Sequence, residues 1–267
     1  MKRRARHIGM HEKQSRKGQG AAPSVPEGVR VYTVGDLHGR LDLLRELLDK
    51  ISADRASRGA SRDKIIFLGD YIDRGGDART LLDFLSAGPI DGFETVYLVG
   101  NHEDYLLRFM DDTSIGPQWL KYGGRETLDN YGITPALAAP GAENFKRIQE
   151  VLRRAVPELH LAFLRGLKIW HLEGDYLFVH AGLRPGVALE EQNRQDLLWI
   201  RHEFLESTAD FGKIVVHGHS PLNEVCQRPN RIGIDTGAYS TDVLTAIVLE
   251  GSERHFIQTG AQSGIAA

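Results

Sequence analysis

From Val29 to Gly35 the chain is a short, mainly apolar and β-branched run that stops at Gly-Asp, the pattern of a buried strand. Behind it Leu41, Leu43, Leu44, Leu47, Leu48 and Ile51 recur at helical spacing and give a helix one apolar face. The unit then repeats in kind. Lys64–Gly69 predicts a strand and Leu81, Leu82 and Leu85 a helix; Phe93–Gly100 predicts a third strand, and Tyr105, Leu106, Phe109 and Met110 a third helix. Strands alternating with helices predict a largely parallel sheet covered on its faces. From about Pro117 to Gly166 the pattern is helical, broken at Gly123-Gly124, with no strand; it predicts a helical insertion. Beyond it strands are expected at Lys168–Leu172, Tyr176–His180, Lys213–His217, Arg231–Asp235, Val243–Leu249 and His255–Gln258, with a helix over Asp196–Ser207.

The ends lack this patterning. Residues 1–27 carry Lys2, Arg3, Arg4, Arg6, Lys13, Arg16 and Lys17 against Glu12 and Glu27, with few large apolar side chains. Such a stretch cannot offset its ordering entropy by burial and reads as a disordered basic tail, most simply a solvated extension. The folded domain is expected over 28–259, and residues 260–267 as a flexible tail. The whole chain has 267 residues, 41% of them hydrophobic and 26% charged, which excludes a fibrous or wholly disordered protein. With 33 Lys and Arg against 36 Asp and Glu, the net charge of −3 gives no general case for binding nucleic acid. One cysteine, Cys226, excludes an internal disulfide framework, suits a reducing cytoplasmic setting and reads as a small buried residue. No apolar run approaches the roughly 18–20 residues that cross a bilayer.

The chemistry is in the positions of the polar residues. Each of the first three strands ends in glycine followed by an acid or amide: Gly35-Asp36-Leu37-His38-Gly39, Gly69-Asp70-Tyr71-Ile72-Asp73-Arg74-Gly75 and Gly100-Asn101-His102-Glu103. Two later strands end in histidine, at His180-Ala181-Gly182 and His217-Gly218-His219-Ser220. Ligands of open α/β sheets bind outside the carboxyl ends of strands, so these loops are expected to share one crevice. Any one of them alone is more often a turn or a surface loop; five in order, each at a strand end, are not coincidence. Carboxylate and imidazole without thiolate suits Mn, Fe or Zn. Asp36, His38, Asp70, Asn101, His180 and His219 are too many for one ion with an open position. They suit a two-metal site bridged by Asp70, whose strand lies between the other two. Asp70 and Asp73, three residues apart, would repel one another without a cation nearby.

These motifs resemble the metallophosphoesterase superfamily, and most closely its phosphoprotein phosphatase branch as found in bacterial and phage serine/threonine phosphatases. The resemblance spans about residues 30–250. It implies the α/β calcineurin-like fold, two mixed β-sheets in a sandwich flanked by helices, and a dinuclear centre of divalent ions, Mn²⁺ first. It implies that Asp36, His38 and Asp70 bind one ion and that Asp70, Asn101, His180 and His219 bind the other. His102 matches the family's general acid, Asp73 the carboxylate that orients it, and Arg74 a phosphate-binding arginine. Arg201, in Leu197-Leu198-Trp199-Ile200-Arg201, resembles the second such arginine of bacterial members. The stretch from Trp119 to Leu128 also resembles bacterial members, its aromatics reading as packing; His217, two residues before His219 on the strand side, reads as a support behind the ligands or as structural. The implied reaction is hydrolysis of a phosphomonoester, on a phosphoprotein or a phosphorylated small molecule, by direct attack of a metal-activated hydroxide. The alternative within the superfamily is a symmetrical dinucleoside tetraphosphate hydrolase, a branch that typically lacks the acid matching Asp73. A non-catalytic phosphate-binding module would show a broken ligand set, and none of these ligands is missing.

Overall fold

The computed structural model describes residues 22–133 and 142–260. Its elements run in the order β1 (Val29–Val34), α1 (Leu41–Ala56), β2 (Arg62–Phe67), α2 (Ala78–Ser86), β3 (Glu94–Tyr97) and α3 (Asn101–Asp111). The insertion follows as α4 (Gly116–Trp119), α5 (Arg125–Asn130), α6 (Ala142–Ala155) and α7 (Glu158–Arg165). The second half is β4 (Trp170–Glu173), β5 (Tyr176–Val179), α8 (Arg194–Trp199), α9 (His202–Leu205), β6 (Ile214–His217), β7 (Cys226–Arg228), β8 (Arg231–Gly233), α10 (Ala238–Thr241), β9 (Thr245–Glu250) and β10 (Glu253–Gln258).

Two five-stranded sheets form, in the orders β10-β9-β1-β2-β3 and β4-β5-β6-β8-β7. Their facing sides carry the alternate apolar residues of each strand. Val29, Val31, Ile66, Leu68, Val96 and Leu98 from one sheet meet Tyr176, Phe178, Val216 and Ile232 from the other in one buried cluster. The opposite residues of the first sheet, such as Tyr32, Val34, Ile65 and Phe67, pack under α1, α2, α3 and the insertion. Leu177, Val179 and Val215 of the second sheet pack on Leu197 of α8, Phe204 of α9 and Ile200 between them. The structure is thus the two-sheet sandwich that the motifs imply, and both sheets end at one common edge.

Several sequence expectations are corrected. β1, β2 and β3 are parallel, as are β5, β6 and β8, but β9 and β10 join the first sheet antiparallel and β4 and β7 the second. Helix alternation foretells only the parallel half; β1 and β9, more than two hundred residues apart, pair through a contact that no local pattern carries. The helix expected over Asp196–Ser207 is two short ones, broken where Ile200 turns extended (φ −59°, ψ 140°). Cys226 lies half-buried on β7, a strand with no clear alternation, and is not in the core. The packed chain also starts before residue 28. Val25 is 3% exposed and belongs to the cluster between the sheets. Its N–H donates to the Gly251 carbonyl at 3.0 Å, while Ser24 pairs with Asp175 through the Ser24 N–H and the Ser24 carbonyl. The basic residues around it give the segment a tail-like average that hides one buried valine. The remainder of the expected tails, residues 1–21 and 261–267, lies outside the described residues. Among the described residues no helix is long and apolar enough to cross a membrane.

Candidate metal centre

Parallel register brings the motifs together. β1 presents Asp36 and His38, β2 presents Asp70, Asp73 and Arg74, and α3 opens with Asn101 and His102 directly after β3. From the second sheet, β5 delivers His180 and β6 delivers His219. The two edges are tied by the His180 Nδ1–Leu68 carbonyl contact at 2.9 Å and by the His219 N–H donating to Asp36 Oδ2 at 3.0 Å. All six residues expected to bind metal are buried, as are His102 and Asp73.

The backbone here is strained. His38 (φ 44°), Asp70 (52°), Asp73 (69°), Arg74 (65°) and His219 (64°) all take left-handed conformations; among the described residues the one further non-glycine with such a φ is Asp242. Each costs on the order of 1–3 kcal/mol and persists only where the surroundings impose it. Part of the restraint is visible. The Leu37 and His38 N–H groups both donate to the Asp70 carbonyl, at 3.0 and 2.8 Å. The buried Glu103 carboxylate accepts the N–H groups of Asp70, Tyr71, Ile72 and Gly100, at 2.9, 2.8, 3.3 and 2.9 Å.

Two groups of donors meet at Asp70. The side chains of His38, Asp70 and His102 bring ligand atoms within 4.8 Å of one another, and so do those of Asp70, His180 and His219. The tautomers follow from the outer contacts. His38 Nδ1 lies 2.7 Å from the Ile72 carbonyl and His180 Nδ1 2.9 Å from that of Leu68, so each must carry its proton there. Burial, then the neighbouring His102, lowers His38 to about 3, and burial also lowers His180, so both rings are neutral and their Nε2 atoms are lone pairs. His180 Nε2 then faces Asn101 Oδ1 at 2.8 Å and Asp70 Oδ1 at 3.4 Å, three electron-rich atoms with no proton among them. His219 Nδ1 approaches the same Asn101 oxygen at 2.7 Å. In addition Asp36 Oδ1, His38 Nε2 and His219 Nε2 are buried without a hydrogen-bond partner. Such crowding of lone pairs is what a divalent cation relieves, and oxygen and imidazole donors suit one. The residues fit the two ions that the motifs imply.

Charge at the site is shared unevenly. Burial would raise Asp70, but His180, His102, His38 and His219 around it outweigh that and hold it far below the carboxylate range. Asp36 is pushed well up by burial and by Asp235 and Asp70. His102 is raised, because Asp70 and its hydrogen bond to Asp73 outweigh burial. Its Nδ1 lies 2.8 Å from Asp73 Oδ2, and its Nε2 points at Asp70 Oδ2, 3.8 Å away. Arg74 stacks its guanidinium 5.0 Å over the Tyr239 ring, whose edge also meets His38 at 5.3 Å. The Arg74 N–H donates to the Gly123 carbonyl at 3.3 Å, and a Cβ on Gly123 would lie 2.6 Å from that nitrogen. Arg201 sits exposed at the break between α8 and α9, and after burial and His180 its charge helps hold His219 down.

Five residues of the site escaped the sequence reading as participants. Glu103 had a signal, a carboxylate in the first turn of a helix directly after the ligand motif. Asp235, raised to about 6 by burial, stands beside Asp36 at another strand end. Tyr239 carries no sequence signal. Trp119 and Thr127, read as packing and unremarked, both donate to Asp73. His217, expected to be structural or to support the ligands, is buried, lowered to about 4 by burial, and packed on Phe204 at 5.0 Å.

Known proteins are similar to this chain in sequence and fold. A symmetrical bis(5'-nucleosyl)-tetraphosphatase of Aromatoleum aromaticum is 31% identical over 160 residues, covering 60% of this chain and 46% of that protein. This chain thus spans about half the length of the curated relatives of that kind that it matches. An asymmetrical bis(5'-nucleosyl)-tetraphosphatase of Bacillus thuringiensis is 23% identical over 233 residues, covering 80% of this chain and 88% of the other. The solved cold-active protein-tyrosine phosphatase of a psychrophilic Shewanella is similar in fold, with TM-score 0.54 and 17% identity over 88% of this chain and 83% of that one. Residues 29–246, from β1 into β9, match the calcineurin-like phosphoesterase family as a whole. With its two sheets, its strand-end motifs and that match, the chain belongs to the calcineurin-like phosphoesterases.

Proposed function

We propose that the chain hydrolyses the phosphoanhydride bridge of a dinucleoside polyphosphate, at a centre of two divalent ions, Mn²⁺ first. Asp36, His38 and Asp70 would hold one ion, and Asp70, Asn101, His180 and His219 the other. Bound there, the ions would supply a water acidic enough to attack phosphorus and neutralise phosphate oxygens. Arg74, steadied on Tyr239, and Arg201 receive the remaining phosphate oxygens in their planar forks. His102 gives its Nε2 proton to the leaving oxygen, and Asp73 at Nδ1 keeps the ring turned for that step. The observation that carries the hydrolytic reading is the cluster of unprotonated donors around Asp70. The substrate rests on the tetraphosphatase relatives at 29–32% identity.

The Asp73–His102 pair favours a second reading, a phosphomonoesterase acting on phosphoserine or phosphothreonine, because a strongly basic alkoxide leaving group depends on a proton far more than a phosphate leaving group does. A panel with added Mn²⁺ separates them: diadenosine tetraphosphate, a phosphoserine peptide and a phosphodiester. A kcat/KM for the tetraphosphate at least tenfold above that for the peptide is expected. The reverse order would establish the second reading, and inactivity on all three in the metal-loaded protein would reject both.

A further inference from the structure

The helical insertion brings two hydrogen-bond donors to one buried side chain of the site, the Asp73 carboxylate. Its Oδ2 accepts the Trp119 Nε1–H at 3.0 Å and the His102 Nδ1–H at 2.8 Å. Its Oδ1 accepts the Thr127 hydroxyl, and the Thr127 oxygen in turn accepts the Asp73 backbone N–H at 3.0 Å. Because Thr127 Oγ1 takes that N–H, its one proton is left for the carboxylate, which fixes the direction of the bond. Asp73, Trp119 and Thr127 are fully buried, so no water can replace either donor. Trp119 is itself held. Its ring packs on Phe109 at 5.0 Å, and a Cβ on Gly124 would come within 2.5 Å of it. The two donors come from α4 and α5, 46 and 54 residues from Asp73 in sequence.

From this geometry we infer that Trp119 and Thr127 are positioning residues for proton transfer to the leaving group. Together they stop the carboxylate from rotating, and the carboxylate fixes the tautomer and plane of His102. Neither touches phosphate. This deepens the reading of His102 as the acid and rests on it, but holds for a phosphomonoester or an anhydride substrate. It also gives the insertion a task beyond packing.

The test compares phenyl phosphate, whose leaving group needs a proton, with p-nitrophenyl phosphate, whose leaving group is stable as an anion. In the metal-loaded enzyme Thr127→Val and Trp119→Phe are expected to lower kcat on phenyl phosphate on the order of tenfold or more, as loss of an orienting partner does. On p-nitrophenyl phosphate the same variants should lose less than about a third of that effect, with KM unchanged on both. Thr127→Ser, which keeps the hydroxyl, should restore the wild-type ratio. A second readout does not use turnover: in protein labelled with ¹⁵N-histidine, the low-field Nδ1 proton of His102 should persist in Thr127→Ser and be lost in Thr127→Val. His102→Asn is the control for the underlying reading. If it lowers both substrates equally, the acid role fails, and the ¹⁵N spectra alone then decide the positioning. Equal losses on the two substrates in Thr127→Val, beside a selective loss in His102→Asn, would overturn the inference. So would an unchanged His102 proton in both Thr127→Val and Trp119→Phe.

Discussion

Glu103 holds Asp70 by the main chain and not by the carboxylate: the Asp70 N–H donates to Glu103 Oε2 at 2.9 Å, while the carboxylate accepts the His102 N–H at Oδ1, 3.2 Å away, and faces the histidines. Together with the Tyr71, Ile72 and Gly100 N–H groups, this makes Glu103 the acceptor that shapes the central loop. Replacing it with alanine strands buried amides at about 1–3 kcal/mol each. Glu103→Ala is expected to lose roughly 3 kcal/mol or more of stability by denaturant unfolding, and Glu103→Gln less, since it keeps one acceptor oxygen. A loss under about 0.5 kcal/mol in Glu103→Ala would show that the loop holds its shape without it.

Metal content is the direct check on the donor cluster. Two ions per chain are expected by elemental analysis after loading with Mn²⁺, and fewer than one in Asp70→Asn, because Asp70 belongs to both donor groups. Chelation should abolish turnover. It should also lower the melting temperature, since a ligand at a hundred times its dissociation constant adds about 2.7 kcal/mol to the folded state. A fully active protein with a single ion would reject the pairing.

Val25 sets the edge of the fold. Buried between the sheets and bonded to Gly251, it is expected to cost about 1–3 kcal/mol when replaced by alanine. Turnover of p-nitrophenyl phosphate per folded molecule should be unchanged, since Val25 lies among the core residues between the sheets and is no part of the donor cluster. A melting temperature equal to wild type would return the segment to the tail.

Acid should weaken the far side of the first sheet. Arg30, buried on β1, donates to Glu250 at 2.8 and 3.0 Å and holds its carboxyl below the ordinary 4.5. A carboxyl lowered in the folded state adds stability above its unfolded value and loses it as the pH falls through the folded one. The melting temperature is therefore expected to drop between about pH 5 and pH 3, and less steeply in Glu250→Gln. Parallel profiles for the two proteins would show that Glu250 takes no part.

What could be read from the sequence was local. A glycine followed by an acid or amide at the end of an apolar run marks both a strand end and a donor. That is why Asp36, Asp70 and Asn101 could be placed in one crevice, and His180 and His219 joined them because two later apolar runs end in histidine. The antiparallel partner of β1 could not be read, because nothing near Val31 names Leu249. Nor could the clamp on Asp73, since the indole of Trp119 looks like any buried aromatic until its N–H is seen to have a charged acceptor. The break at Ile200 that frees Arg201 from a continuous helix was hidden for the same reason: Ile200 is apolar and fits the helical spacing, yet tertiary packing turns it.

Five of the site's side chains stand on left-handed backbone that glycine would adopt without strain. Heat resistance and turnover therefore select in opposite directions at Arg74, which is no part of the donor cluster and is only half-buried. A screen for thermal survival alone would enrich glycine there. Its survivors would be robust, well-folded proteins that no longer cleave anything.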